Sequence, residues 1–238
     1  GAIDTLIELN RIHNAGRGLW LDWMAQGTRV TGNLLYDNSS DDLFVEVNHG
    51  PFLIDGNIML SPVSVRDWSQ GGAYVHNLFA GRIISRPEPN RWTPYHRPHS
   101  TALAGVTYTR GGDNRYFNNI FTGGAEAGLW VYDERPFPSF AAGNVYLNGA
   151  RPYKDEQTPL LLGAAAPPAI QETPEGVFLR WTPPAGLAQA AITPVTTARL
   201  GRTLIAELPF EDVDGAPLRI EKPLPGPLEK PAALLKLW

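Results

Sequence analysis

The chain has 238 residues, 43% of them hydrophobic, with a formal net charge of −4 and no cysteine. That length can bury a sizeable core in one or two domains, and the acidic balance (pI near 5.7) gives no basic footprint for nucleic acid. The missing thiols exclude disulfide staples and thiolate metal sites without fixing a compartment, and no apolar run approaches the roughly 18 residues of a membrane span.

Short apolar or β-branched runs recur along the chain, each carrying an asparagine: ELNRIH at Asn10, GNLLYDN at Asn33, GNIMLSP at Asn57, HNLFAG at Asn77, NNIFTG at Asn119 and GNVYLNG at Asn144. The intervals are 23, 24, 20, 42 and 25 residues, the fourth reading as two turns of 21 around an irregular coil. Gly, Asn, Asp and Pro bound each run, which is strand and turn chemistry, and no helical apolar periodicity is sustained. Repeats of this length are stacked units that share one core. The expected fold is all-β: a parallel β-helix over 1–150 with the asparagines bonded coil to coil at a corner, then a smaller β-region over 151–238. The chain opens within a coil at GAIDTLIELNRIH, without a cap, so it reads as the C-terminal part of a longer protein or one product of a cleaved chain.

Two further apolar runs, LWLDW and LFVEV, each carry a carboxylate in the fourth position, and Asp22 and Glu46 each lie 11 residues before the next ladder asparagine. In a β-solenoid, equivalent residues of adjacent coils stand about 4.8 Å apart. A carboxyl pair at about 5 Å suits a retaining glycoside hydrolase, where one carboxylate attacks and its neighbour acts as acid and base. The alternative is a pair of ordinary solvated charges, but Trp20, Trp23 and Phe44 crowd the position with the aromatic surface a sugar ring uses. Gln26 follows at the corner, within reach of the cleft. His49, at the exit of the second run, is placed to bond a sugar hydroxyl or orient Glu46, or is a turn histidine bonded to backbone. Asp67 in SVRDW lies 10 residues before Asn77, nearly in register below Glu46. It reads as a third acid in the cleft or as the local partner of Arg66.

Residues 83–112 break the period, and Pro87, Pro89, Pro94 and Pro98 mark a long loop leaving the solenoid. It carries Trp92, Tyr95, His96, Arg97 and His99, an inventory suited to carbohydrate, with Trp92, His96 and His99 the candidates for substrate contact. His-x-x-His is a weak metal signal without further ligands at suitable spacing, so no metal or cofactor is expected. Asp113 and Arg115 read as a turn-stabilising pair. Asp133, in GLWVYD, repeats the carboxylate position well away from the pair. After a linker-like LLLGAAAPP, residues 151–238 hold three or four strand-like stretches and no clustered acid, base or nucleophile.

The segments GLWLDWMAQGTRVTGNLLYDN and DLFVEVNHGPFLIDGNIMLS, with GGDNRYFNNIF and LPFEDVDGAPL, resemble the C-terminal part of glycoside hydrolase family 120. The resemblance implies a right-handed parallel β-helix with an added β-sandwich and a retaining, exo-acting β-xylosidase acting on xylo-oligosaccharides or a related small glycan. It makes Asp22 the nucleophile and Glu46 the general acid/base. It also implies an N-terminal portion of the same protein, or a partner chain, to complete the sugar pocket; homo-oligomerisation is a further possibility. A β-helix polysaccharide lyase or polygalacturonase-like enzyme is the second reading, disfavoured because only Arg17, Arg29 and Arg66 flank the pair. A non-catalytic carbohydrate-binding solenoid is the third.

Overall fold

The computed structural model describes residues 2–230 and 233–238. It is a parallel β-solenoid of about six turns. Three sheets run along it, and every strand pairs in parallel with its counterpart one turn away. The first sheet stacks Leu6–Glu8, Arg29–Thr31, Phe52–Asp55, Gly72–Val75, Arg115–Phe117 and Phe140–Ala142. The second stacks Arg11–His13, Leu34–Tyr36, Ile58–Met59, Leu78–Phe79, Ile120–Phe121, Val145–Tyr146 and Leu160–Leu161. The third, shorter sheet stacks Arg17–Leu21, Asp41–Glu46, Val63–Trp68 and Arg82–Ser85.

Alternate residues of each strand point to opposite faces, and the inward ones fill the interior. Leu21, Leu43, Val45, Val65 and Ile83 of the third sheet meet Val30, Ile54, Tyr74 and Tyr116 of the first and Leu35, Met59, Phe79 and Phe121 of the second. Parallel register places like on like: the rings of Tyr74 and Tyr116 stack at 4.5 Å, those of Phe79 and Phe121 at 5.0 Å. Each fully buried side chain of this size contributes roughly 1.5–3 kcal/mol through apolar area removed from water.

The asparagine ladder forms as expected. The side-chain amide nitrogen of Asn10 donates to Asn33 Oδ1 at 2.9 Å, Asn33 to Asn57 at 2.9 Å, Asn57 to Asn77 at 3.0 Å, Asn77 to Asn119 at 3.1 Å and Asn119 to Asn144 at 2.9 Å. Asn144 ends the ladder on Glu156 Oε1 at 2.7 Å. The direct Asn77–Asn119 bond corrects one expectation: the 42-residue interval is a single turn and contains no irregular coil. Its extra length is an antiparallel hairpin, Glu88–His96 with Leu103–Thr109. The loop expected over 83–112 is therefore largely strand. Glu88 pairs with Thr109 and Thr93 with Thr107, so residues 89–92 bulge out opposite Tyr108 and Pro89 needs no ladder partner, whereas Pro94 stays paired with Val106 in a ribbon whose two strands are both edges.

Past Leu161 the chain folds back along the solenoid. A three-stranded antiparallel sheet of Ala169–Thr173, Gly176–Arg180 and Leu234–Lys236 buries Val177, Leu179 and Trp181 against Leu34, Ile58, Leu78 and Ile120 on the outer face of the second sheet. A two-stranded ladder, Val195–Thr196 with Arg219–Ile220, packs with Leu200, Phe210 and Leu218 onto Leu53, Ala73, Val75 and Phe117 of the first sheet. Of the β-sandwich expected there, the described residues contain these two small sheets, each laid against the solenoid. The third sheet keeps its outer face uncovered by this region, and that face carries the candidate site.

Candidate active site

The third sheet sets the register. Leu21 pairs with Val45 and Val45 with Asp67; the residue after Leu21 is Asp22, just past the end of its strand, and the residue after Val45 is Glu46, which pairs with Trp68. Leu21 and Val45 are core residues, which turns the residue after each, Asp22 and Glu46, away from the core. The preceding outward row holds Trp20, Phe44 and Arg66.

Both carboxylates stand at the exit of their strands, where the chain turns a corner. Met24 and Val47 adopt positive φ of 66° and 51° there, which ends the ladder. The Asn48 side chain fixes this corner: its Nδ2 donates to Leu21 O at 2.9 Å and Glu46 O at 3.0 Å, and its Oδ1 accepts from Ala25 N at 2.7 Å. One buried amide thus ties the two rungs together beside the pair.

The two carboxylates differ in environment. Asp22 is half exposed (47% of its side chain), and its Oδ1 accepts from Trp23 N at 2.9 Å. Glu46 is buried (6%), with Oε2 accepting from Trp20 Nε1 at 3.0 Å and Oε1 from Arg91 Nη1. Arg91 Nη2 also stands 3.7 Å from Asp22 Oδ1, so one guanidinium from the hairpin bulge spans the pair. Trp20 is braced by a stack on Phe44 at 5.6 Å and by the Arg17 guanidinium 4.9 Å over its ring. Arg17 is held in turn by Asp41, which also takes Arg66 Nε at 2.9 Å. Trp68, next on the Glu46 row, lies under Arg86 at 3.5 Å, and Arg86 pairs with Glu88 at 3.1 Å.

The other expected site residues divide into those near this face and those that build the frame. Trp20 and Trp23 present open aromatic surface (53% and 41% exposed) beside the pair. Trp92 is 62% exposed on the hairpin, edge-on to Tyr108. Gln26 does not reach the cleft: its amide clamps the backbone of His96, accepting from N and donating to O, both at 3.0 Å. His49 is buried between Gln70 Nε2 at 2.9 Å and Thr93 Oγ1 at 2.9 Å, pinning the hairpin to the solenoid, and no hydrogen bond joins it to Glu46. Burial disfavours its charged form and lowers its pKa to about 4. His96 is also buried, with Nδ1 on Thr101 O at 3.1 Å.

His99 is remote from the pair, bonded to Asp4 at 3.2 Å and Glu211 at 3.4 Å. The crevice it lines there holds about 30 Å³, room for one or two waters rather than a sugar.

Asp67 requires a correction. It pairs with Val45, one position away from Glu46, and that single step turns it into the core. There it is fully buried and accepts from Tyr132 OH at 2.6 Å, Ser69 N and Asn114 Nδ2, both at 2.9 Å. Burial raises its pKa to about 6. It is a frame residue, and Arg66, its expected partner, turns outward to Asp41. Asp113 and Arg115 form the expected pair, at 2.5 Å. Asp133 follows a 3₁₀ turn, Trp130–Tyr132, and accepts from Lys154 N at 2.9 Å.

Arg91 and Asn48 were missed from the sequence. Asn48 carried a signal, an asparagine just past a strand that ends in the candidate carboxylate Glu46. Arg91 carried none, being hidden among prolines. Among the described residues, no group of three or more His, Cys, Asp or Glu side chains is placed to hold a metal ion.

Two carboxylates at the exits of neighbouring solenoid strands, bridged by Arg91 and flanked by exposed tryptophans, form one cluster on the outer face of the third sheet. Comparison with known proteins narrows this. A solved structure of XylC in complex with xylose is 36% identical to this chain with a TM-score of 0.91, covering 100% of this chain and 43% of XylC. No family model and no curated protein matches the chain. Over its whole length the chain resembles the C-terminal portion of glycoside hydrolase family 120, as its LDW and FVEV motifs imply, and it spans less than half of XylC, a xylosidase of that family.

Proposed function

We propose that this chain carries the catalytic pair of a retaining, exo-acting β-xylosidase that releases xylose from short xylo-oligosaccharides. The observation that carries the reading is that Arg91 reaches both Asp22 and Glu46, which follow the paired Leu21 and Val45 at the exits of neighbouring strands; strand spacing of about 4.8 Å then suits a carboxyl pair of the retaining type. That is close to the 5–5.5 Å typical of retaining enzymes and short of the separation an inverting enzyme needs for its water. Similarity to XylC, solved with xylose, supports the sugar.

In this reading Glu46 gives a proton to the glycosidic oxygen while Asp22 attacks the anomeric carbon. The C–O bond to the leaving sugar breaks, and a glycosyl ester forms on Asp22. Glu46, now a carboxylate, takes a proton from water, whose oxygen attacks the same carbon and frees Asp22. The exposed carboxylate is the nucleophile and the buried one handles the proton. Trp20 and Trp23 flank the sugar, and Trp92 faces it from the hairpin. The pairing of both carboxylates with Arg91 favours a second reading, a solenoid that binds sugar without cleaving it. The lyase reading draws less support, since Arg17, Arg66 and Arg86 are each already paired with a carboxylate.

The test is intact mass and peptide mapping after incubation with an activated 2-fluoro xyloside. One sugar adduct on the peptide holding Asp22, absent from Asp22→Asn, is the expected result. Turnover retained by a folded Asp22→Asn protein refutes the assignment, and xylose binding without any adduct supports the binding solenoid.

A further inference from the structure

The state of Glu46 points to a role for Arg91, on the reading that Asp22 and Glu46 are the catalytic pair. Both Glu46 oxygens accept protein N–H groups, one from Arg91 and one from Trp20. A general acid needs an oxygen open to the leaving group, within hydrogen-bond reach. One donor must therefore withdraw when substrate arrives, and the two donors are not equally free to do so. Trp20 lies on a solenoid strand, stacked on Phe44 and covered by Arg17. Arg91 lies on the hairpin bulge at 89–92, outside the ladder pairings, with 41% of its side chain exposed. Its second contact, 3.7 Å to Asp22, is an ion pair beyond hydrogen-bond length.

We infer that Arg91 is a substrate-displaced gate. In the empty site its guanidinium occupies the space between the carboxylates. The reacting sugar must place its anomeric carbon against Asp22 and its glycosidic oxygen against Glu46, both in near-attack geometry, and Arg91 touches both groups. The pyranose takes that space, Arg91 swings toward solvent on its bulge, and Glu46 Oε1 is released to face the glycosidic oxygen. Trp20 stays on Oε2 and keeps the carboxyl oriented. The apparent affinity for sugar is then the intrinsic affinity reduced by the fraction of sites with the gate open.

The test is a calorimetric titration of xylose into the protein and into Arg91→Ala and Arg91→Lys, at low and at high salt, with hydrolysis of an aryl β-xyloside measured in parallel. Arg91→Ala is expected to bind xylose about 3–10-fold more tightly, with a correspondingly lower KM, because the competing ion pair is gone. Salt, which screens a partly exposed pair, is expected to tighten xylose binding to the native protein and to leave Arg91→Ala unaffected; Arg91→Lys falls between. Weaker xylose binding in Arg91→Ala, or a hundredfold fall in kcat restored by Arg91→Lys, places the guanidinium on the bound sugar and overturns the gate. So does the absence of xylose binding to every form. Melting temperatures within a few degrees of the native protein establish that the variants fold. Failure of the catalytic reading shows separately, as no turnover of the aryl xyloside by a native protein that binds xylose; the titration still reads the gate.

Discussion

Replacing Asn57 with alanine removes the middle of the asparagine ladder. Asn57 is fully buried, and its Nδ2 donates to Asn77 Oδ1 at 3.0 Å, Val30 O at 2.9 Å and Asp55 O at 3.1 Å. Its Oδ1 accepts from Asn33 N and Asn33 Nδ2, both at 2.9 Å. After the substitution Asn33 Nδ2 keeps Ile7 O and Thr31 O, and Asn77 Oδ1 keeps Asn57 N. Asn33 N–H loses its acceptor inside the corner. One stranded buried donor costs about 1–3 kcal/mol, and each lost bond roughly another 0.5–1.5 kcal/mol. The expected loss is about 3–5 kcal/mol, a large part of the 5–15 kcal/mol typical of a domain. Asn10→Ala is the internal control. Asn10 is exposed and its side chain only donates, to Glu8 O and Asn33 Oδ1, the latter still bonded to Asn10 N. Nothing is stranded, and the loss stays below about 1 kcal/mol. Urea denaturation followed by far-UV circular dichroism measures both. Equal losses, or an Asn57→Ala loss below about 1 kcal/mol, refute the reasoning.

Two further outcomes follow from buried groups. Burial raises the Glu156 pKa from 4.5 to about 7, so the folded chain holds that proton more tightly than the unfolded chain, and stability from this group is lost as pH rises from 4.5 through about 7. Asp42 and Asp67, raised to about 6, act the same way, whereas His49 and His76, lowered to about 4, oppose them below 6.5. Between pH 6.5 and about pH 8 the native protein should lose on the order of 1 kcal/mol more than Glu156→Gln in urea denaturation, and parallel curves refute the assignment. Gln26→Ala strands the buried backbone of His96 and should cost about 2–3 kcal/mol locally. Hydrogen exchange should quicken across the hairpin at 88–109 while the ladder strands keep their protection, and unchanged exchange in the hairpin refutes the clamp.

The fold was legible because the repeat asparagine is bound to one place: a buried corner where its amide serves the coils on either side. Spacing alone then set Asp22 and Glu46 directly after the paired core residues Leu21 and Val45. The same arithmetic held the warning about Asp67, which lies 10 residues before its asparagine where Glu46 lies 11, and an odd difference on a strand changes faces. The hairpin was harder to read. Its prolines argue against strand, yet the bulge at 89–92, a property of pairing rather than of composition, admits Pro89, and the two-stranded ribbon admits Pro94 opposite Val106. Arg91 sits in that bulge, so its approach to the carboxylates depends on a bend that no local pattern encodes. The roles of Gln26 and His49 escaped for a related reason: both are polar residues near a presumed cleft, and both are spent on fastening the hairpin, a contact 70 residues away in sequence for Gln26 and 44 for His49.

The turn between Asn77 and Asn119 shows how the frame tolerates growth. It is twice the length of the turn before it, yet Asn77 reaches Asn119 at 3.1 Å as if nothing had been inserted. Closing a loop of doubled length costs only about 0.6 kcal/mol in chain entropy, and the ladder and stacked strands restore the register at once. The architecture therefore separates two kinds of inheritance. The carboxylates ride on the repeating frame, where a shift of one residue would turn them inward. The hairpin that reaches over them is an appendage, free to lengthen, shorten or change composition while the rungs beneath stay in step. Divergence in what lies over this face can proceed through the appendage, one insertion at a time, without disturbing the rungs underneath.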